Sequence, residues 1–157
     1  MKLILIAALT RNRVIGKERS VPWDIPEDMQ RFKRLTTGHV VLMGRGTYET
    51  LSTPLLERRN VVLTSRHIEG VETYPTIAEA LKALEKEGDV YVIGGGGIFA
   101  QLLMSASELR LTVVDEEFEG DTFFPPYEHL IGSLFRLASE ERHAGFSFLD
   151  YARIERQ

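Results

Sequence analysis

The sequence predicts an α/β fold, with one open, mostly parallel sheet, helices on both faces, and an antiparallel hairpin at the C-terminal end. Three observations point there. Apolar runs of strand length recur along the 157 residues. Helix-period segments separate most of them, the alternation that builds parallel sheets. The tail beyond about residue 130 alternates without helical period and ends in FSFLDYARIE, as a hairpin would.

The strand candidates, in order, are LILIAAL (3–9), HVVLMG (39–44), NVVLTS (60–65), DVYVIG (89–94) and LRLTVV (109–114). PEDMQRFKRLTTG (26–38) opens on proline and ends on glycine, the asymmetry expected of a helix. GTYETL (46–51) predicts a short helix. TIAEALKALEKEG (76–88) carries Ile77, Ala80, Leu81 and Leu84 on one stripe, opens with a Thr-x-x-Glu capping box and closes on Gly88. GGIFAQLLMSA (96–106) is the last clear helix. No repeat, low-complexity stretch or linker interrupts the chain, so residues 1–157 read as one domain.

Composition narrows the function classes. A net charge of −4 and the lack of any basic block speak against nucleic-acid binding. With no cysteine, disulfides and thiolate chemistry are excluded. His39, His67, His129 and His143 show no metal-ligand spacing, so no metal is expected. The N-terminal apolar run is short and lacks a clear cleavage site, which favours a first strand over a signal peptide. No stretch approaches the roughly 20 apolar residues of a membrane span. A cytoplasmic protein is the expectation.

In open α/β sheets, ligands bind beyond the carboxyl ends of the strands. There the chain places Ala7-Ala8, Gly44-Arg45-Gly46-Thr47, Thr64-Ser65-Arg66 and the four glycines 94–97. Small residues, hydroxyls and two arginines on one edge are the composition of a nucleotide cleft. Gly95-x-Gly97-x-x-Ala100 also fits a dinucleotide fingerprint, with Asp115 about 20 residues on as the ribose acid. That reading comes late in the chain and leaves the arginines unused. A ribose acid would also repel the 2′-phosphate that arginines favour. A differently built NADP-type cleft is the better reading, and a structural glycine turn remains the bland one.

Asp28 is the second signal. Ile25, Met29, Phe32 and Leu35 form an apolar stripe on the first helix, while Glu27, Gln30, Arg31 and Arg34 face away. Asp28 falls on that stripe, where a carboxylate must be paired or lose its charge. With no cation obvious on that face, a ligand donor is a sensible partner. The competing reading is an acid answering exposed amides in the first turn.

The N-terminal LIAALTRNRVIGKERSVPWDIPEDMQRFKRLTTG, VVLMGRGTYETL, RRNVVLTSR, VYVIGGGGIF and LRLTVVDEEFEGDTFFP together resemble the dihydrofolate reductase family, nearly end to end. The resemblance implies a three-layer fold with an eight-stranded mixed sheet and four helices, and NADPH-dependent reduction of dihydrofolate to tetrahydrofolate. It assigns Asp28 to gripping the pteridine, with Thr112 bonded near it and Trp23 beside the pocket. Ile6, Ala7, Met29, Phe32, Leu51 and Leu55 would line the substrate, and Arg58 would take the carboxylate of the glutamate tail. NADPH would lie against Ala8, Ile15, Gly16, Gly44, Arg45, Gly46, Thr47, Thr64, Ser65 and Arg66, and against Ile93, Gly95, Gly96, Gly97, Ile98, Phe99 and Thr122. Arg45 and Thr47 would hold phosphates, with Ser65 and Arg66 at the 2′-phosphate, and a cis Gly94–Gly95 bond would let Gly95, Gly96 and Gly97 pass close to the pyrophosphate. The helix from Ile98 would aim its N-terminus at the pyrophosphate. Asp121 would couple to the mobile loop carrying Val21. A monomer is expected.

The sequence also departs from the family pattern. Ser52, Leu56 and Glu57 replace glycine, proline and glycine before Arg58, Phe99 replaces a frequent tyrosine, and Gly97 a side chain. The alternatives are a related NADPH-dependent pyrimidine reductase of riboflavin synthesis, which generally lacks the acid, and a non-catalytic NADPH-binding protein.

Overall fold

A computed structural model describes residues 1–16 and 23–155. In chain order its elements are β1 (Lys2–Thr10), β2 (Val14–Gly16), α1 (Pro26–Thr36), β3 (Val40–Gly44), α2 (Arg45–Leu51), β4 (Arg59–Leu63) and β5 (Glu72–Tyr74). There follow α3 (Ile77–Ala83), β6 (Asp89–Gly94), α4 (Gly96–Leu102), β7 (Glu108–Val114), β8 (Thr122–Phe123), β9 (Phe135–His143) and β10 (Phe146–Arg153).

Eight strands form one sheet in the order β5-β4-β3-β6-β1-β7-β10-β9. Pairing is parallel from β5 through β7, and antiparallel where the terminal hairpin joins. The fold class expected from the sequence is therefore the one observed. The third-layer prediction also holds, because strand side chains alternate between faces. Ile4, Ile6, Val41, Met43, Val62 and Tyr91 point to one face, where Phe32 and Leu35 of α1 and Tyr48 and Leu51 of α2 cover them. Leu5, Leu42, Val61, Val92 and Leu111 point to the other, under Ala80 of α3 and Phe99 and Leu102 of α4.

Three expectations need correction. Arg31, read as facing away, is buried at 9% exposure, and Met29, read as core, is 65% exposed. The apolar stripe of α1 is thus narrower than its spacing implied, because a charged residue with a partner in the sheet takes a place on the buried side. Helix α3 stops at Ala83 with Leu84 as its cap, well short of Gly88. Its last turn tightens as the Leu84 amide donates to both Ala80 and Leu81, and Glu85-Lys86-Glu87 have no apolar face to bury. Its start is as expected, with the Thr76 hydroxyl accepting from the Glu79 amide at 3.1 Å. Helix α4 begins at Gly96, where its sequence pattern starts and before the Ile98 implied by the resemblance, but it ends at Leu102 instead of running to 106. The structure also adds a ribbon of β2 with β8, whose strands are too short to show alternation.

Candidate active site

Asp28 sits in the first turn of α1, half-buried, with its side chain toward the sheet. The Thr112 hydroxyl on β7 donates to its Oδ1 at 2.6 Å, joining residues 84 apart in sequence. Burial pushes the Asp28 carboxyl above its usual 3.8, while the Thr112 bond and the Arg31 charge pull the other way. Trp23 precedes the helix, its ring 6.1 Å from that of Phe118.

Along the same helix, Phe32 and the neighbouring Leu51 and Leu55 are only partly buried against the sheet. Ile6 is buried, Ala7 and Ala8 half-buried, and Met29 exposed. At the far end of α1, the Arg58 guanidinium donates to Thr36 Oγ1 at 3.1 Å and to the Leu56 carbonyl at 2.8 Å. Asp28 and Thr36 lie eight residues apart on the helix, about 12 Å at its usual rise. The structure thus strings an acid, partly buried apolar side chains and an anchored arginine along α1 and the segment that follows α2. Buried Asn60 holds the loop that carries Arg58. Its amide donates to the Leu55 and Arg58 carbonyls at 2.8 and 2.9 Å, and its oxygen accepts from the Leu55 amide at 2.9 Å. Sequence reasoning missed Asn60 because a lone asparagine opening a strand carries no periodic signal.

The carboxyl edge of the sheet gathers the second group. Gly94 and Gly95 are joined by a cis peptide bond, as expected. Thr47 Oγ1 lies 3.3 Å from where a Gly94 Cβ would stand. A Cβ on Gly96 would come within 2.6 Å of the Phe123 carbonyl, so β8 presses on this turn, whereas Gly97 has open space around it. Gly44 caps α2, Gly46 lies in its first turn, and Arg45 pairs with Glu49 at 2.9 Å. Thr64, Ser65 and Arg66 follow β4, the Arg66 amide donating to the Thr64 hydroxyl at 3.2 Å. Ile93 and Ile98 flank the turn half-buried. Phe99 lies beneath it in the core, its ring 5.0 Å from that of Phe124.

Strand order decides between the two glycine readings. A dinucleotide fingerprint needs its acid on the strand beside the glycine strand. Asp115 follows β7, which is separated from β6 by β1, so the fingerprint match is incidental. Ile15 and Gly16 lie on β2 and Thr122 on β8, with the Thr122 hydroxyl on Asp121 Oδ1 at 3.1 Å. The Asp121 amide donates to the Gly16 carbonyl at 3.2 Å. Val21, its expected partner, lies outside the described residues.

Sequence reasoning also missed Arg31, Arg110 and Asp150. Arg31 Nη2 lies 2.6 and 2.8 Å from the two Asp150 oxygens, and Arg110 Nη1 is 2.9 Å from Oδ2. The available signal was a charged residue three positions after Asp28, and hence on the same side of the helix.

A doubly covered parallel sheet, with glycines, hydroxyls and arginines at its carboxyl edge and a half-buried acid beside them, defines a nucleotide-dependent enzyme of the α/β class. The family model for dihydrofolate reductase matches residues 2–153. Dihydrofolate reductase HdrB of Haloferax volcanii is 41% identical, covering 98% of this chain and 84% of that protein. The dihydrofolate reductase of Staphylococcus aureus is 40% identical, covering 81% and 80%. A solved dihydrofolate reductase from Enterococcus faecalis, complexed with NADP(H) and RAB-propyl, superposes with a TM-score of 0.90 at 31% identity, covering 98% and 97% of the two chains. The chain belongs to the dihydrofolate reductase family, whose members are NADPH-dependent oxidoreductases acting on a small molecule.

Proposed function

We propose that the chain reduces 7,8-dihydrofolate to 5,6,7,8-tetrahydrofolate, with Asp28 gripping the pteridine and the glycine edge holding NADPH. The observation that carries this reading is the half-buried Asp28 carboxylate, fixed by Thr112 at 2.6 Å on the strand next but one to the glycine turn. Its two oxygens suit a ring N–H and an exocyclic amino group, charge-assisted bonds worth about 1.5–3 kcal/mol each. Thr112 holds one oxygen in place, so the carboxylate meets the pterin edge in a fixed plane. Trp23, Ile6, Ala7, Met29, Phe32, Leu51 and Leu55 supply apolar walls that exclude water from the ring. The exposure of Met29 suits a side chain that meets a ligand. Arg58, tethered at the far end of α1, takes the tail carboxylate.

The residues at the sheet edge fit a dinucleotide, since the Gly96 backbone admits no side chain beside β8, while Gly97 leaves the approach open. Bound there, NADPH supplies a hydride to pterin C6. Gly44, Arg45, Gly46 and Thr47 on one side, and Gly95, Gly96 and Gly97 on the other, bind its phosphates. Thr64, Ser65 and Arg66 meet the 2′-phosphate. Ala8, Ile15, Gly16, Ile93, Ile98 and Thr122 line the remainder, with Phe99 supporting the turn from below. Asp28 favours protonation at N5 electrostatically, the proton coming from water, and the scaffold would hold the two rings in orientation for hydride transfer.

We also propose that residues 1–157 act as one monomeric domain in the cytoplasm, without a nucleic-acid partner. No helix among the described residues is long and apolar enough to cross a membrane. Loss of NADPH absorbance on adding dihydrofolate tests the reaction. No turnover at any pH between about 5 and 8 overturns it. Preference for NADH over NADPH would remove the role given to Ser65 and Arg66.

A further inference from the structure

Behind Asp28, on the sheet face that α1 covers, lies a partly buried charge cluster that the reaction described above does not use. Arg110 and Thr112 sit on β7 with side chains on the same face, and Asp150 and Phe148 stand opposite them on β10. Arg31 reaches down from α1, one helical turn after Asp28. Its Cζ lies 4.4 Å above the Phe148 ring, and both Asp150 oxygens accept from its Nη2. Arg110 shares Asp150 from the other side and touches Glu108 at 3.2 Å, while Lys2 approaches Glu108 at 3.4 Å.

We propose that Arg31 is a positioning residue for the substrate-gripping acid: clamped by Asp150, its guanidinium is the fixed countercharge that keeps Asp28 anionic. This rests on the reading of Asp28 as the pterin-binding acid. The geometry carries it. Thr112, which donates to Asp28, and Phe148, which lies under Arg31, are direct cross-strand partners, so the acid and the guanidinium occupy adjacent places on one sheet face. The cluster is also short of acceptors, since Arg110 Nε is buried without a hydrogen-bond partner among the described residues. Burial alone drives Asp28 toward its neutral form, and Arg31 opposes that drive. The other groups facing the cluster are Tyr91 on β6, with Asp89 at the start of that strand, and Thr112, which is uncharged. His143 on β9, over the Phe148 ring at 5.2 Å, is paired with Glu141 at 3.6 Å. None of these supplies a second cation buried beside Asp28. Fixing Arg31 on Asp150 and Phe148 also keeps it from folding over the carboxylate and occupying the oxygens that the pterin needs.

The test reads Asp28 directly, by carbon NMR of the full chain labelled in its aspartate carboxyls, with Asp28→Asn assigning the signal. Arg31→Gln removes a positive neighbour and is expected to move the Asp28 midpoint to higher pH. Asp150→Asn removes a negative neighbour and frees Arg31, and is expected to move it to lower pH. Arg31→Lys keeps the charge and is expected to hold the midpoint near that of the unaltered protein. A purely structural clamp would not produce opposite shifts, so unchanged midpoints, or shifts in one direction, overturn the proposal. Should these variants fail to fold, the unaltered protein still decides. Its Arg31 side-chain nitrogen signals are expected to follow the Asp28 midpoint, and a flat response across that titration overturns the proposal. Absence of dihydrofolate turnover in the unaltered protein, with these shifts intact, would strike the substrate reading instead.

Discussion

An acid in the first turn of a helix normally answers exposed amides and stays in water. Asp28 turns instead to the sheet, where the Thr112 hydroxyl donates to it, the Arg31 charge favours its ionised form and burial raises its pKa. Two consequences follow at this residue. Asp28→Asn keeps one acceptor for Thr112 but loses the charge, so neutral-pH turnover should fall by about 10²-fold or more, with NADPH affinity retained, as steady-state rates and a cofactor titration will show. Stability should move the other way. A raised carboxyl holds its proton to a higher pH folded than unfolded, so the favourable contribution is lost as pH rises from 3.8 through the folded value. The Tm of Asp28→Asn should therefore gain on the unaltered protein between acid and neutral pH, and no such gain in a pH series of melts would mean that Asp28 is not strained by burial. Asp28 itself was legible in the sequence, because an acid on an apolar stripe breaks a local rule. Arg31 was not, because its partner lies 119 residues away.

The turn between β6 and α4 is an element whose glycines differ in what they do. Gly96 meets the Phe123 carbonyl, so Gly96→Ala forces β8 aside and should lower Tm and weaken NADPH binding together. Gly97 has open space, so Gly97→Ala should leave Tm unchanged or raise it by up to a few degrees, as an alanine in a helix gains roughly 0.5–1 kcal/mol over glycine. Equal Tm losses in the two would refute the packing argument. A second element shows the opposite case. Ser52 and Glu57 take left-handed backbone at φ 68° and 61°, where a side chain is strained. Replacing either with glycine should stabilise by about 0.5 kcal/mol, measured by denaturant melts, because relief of strain exceeds the entropy that glycine adds to the unfolded chain. The glycine run announces a close backbone approach, but one string of four letters does not say which glycine is crowded. Ser52 and Glu57 are ordinary polar letters in sequence, and only their φ values mark them.

At the scale of the molecule, the proposed cleft draws on segments that span most of the chain: β1, α1, the β3–α2 junction, the end of β4 and the β6–α4 turn. A ligand that bridges them should stabilise all of them at once. NADPH at about 100 times its Kd should raise Tm by about 5–10 °C, following linkage and the usual enthalpy for this size. NADH should raise it less, and equal shifts in a thermal scan would argue against a 2′-phosphate site.

The sequence by itself determined the α/β class, the order of the main strands and helices, the terminal hairpin, the acid on α1 and the glycine turn. All of these are written in spacings of two to four residues, which act on the chain locally. Tertiary structure alone decided that β6 lies between β3 and β1, which put Asp115 out of reach of the glycine turn. It decided that β8 presses on Gly96, that Asn60 staples the Arg58 loop, and that Asp150 holds Arg31 behind the acid. Those contacts join residues that become neighbours only when the sheet assembles. Their energy depends on burial and countercharge supplied from elsewhere in the fold, which no local pattern encodes.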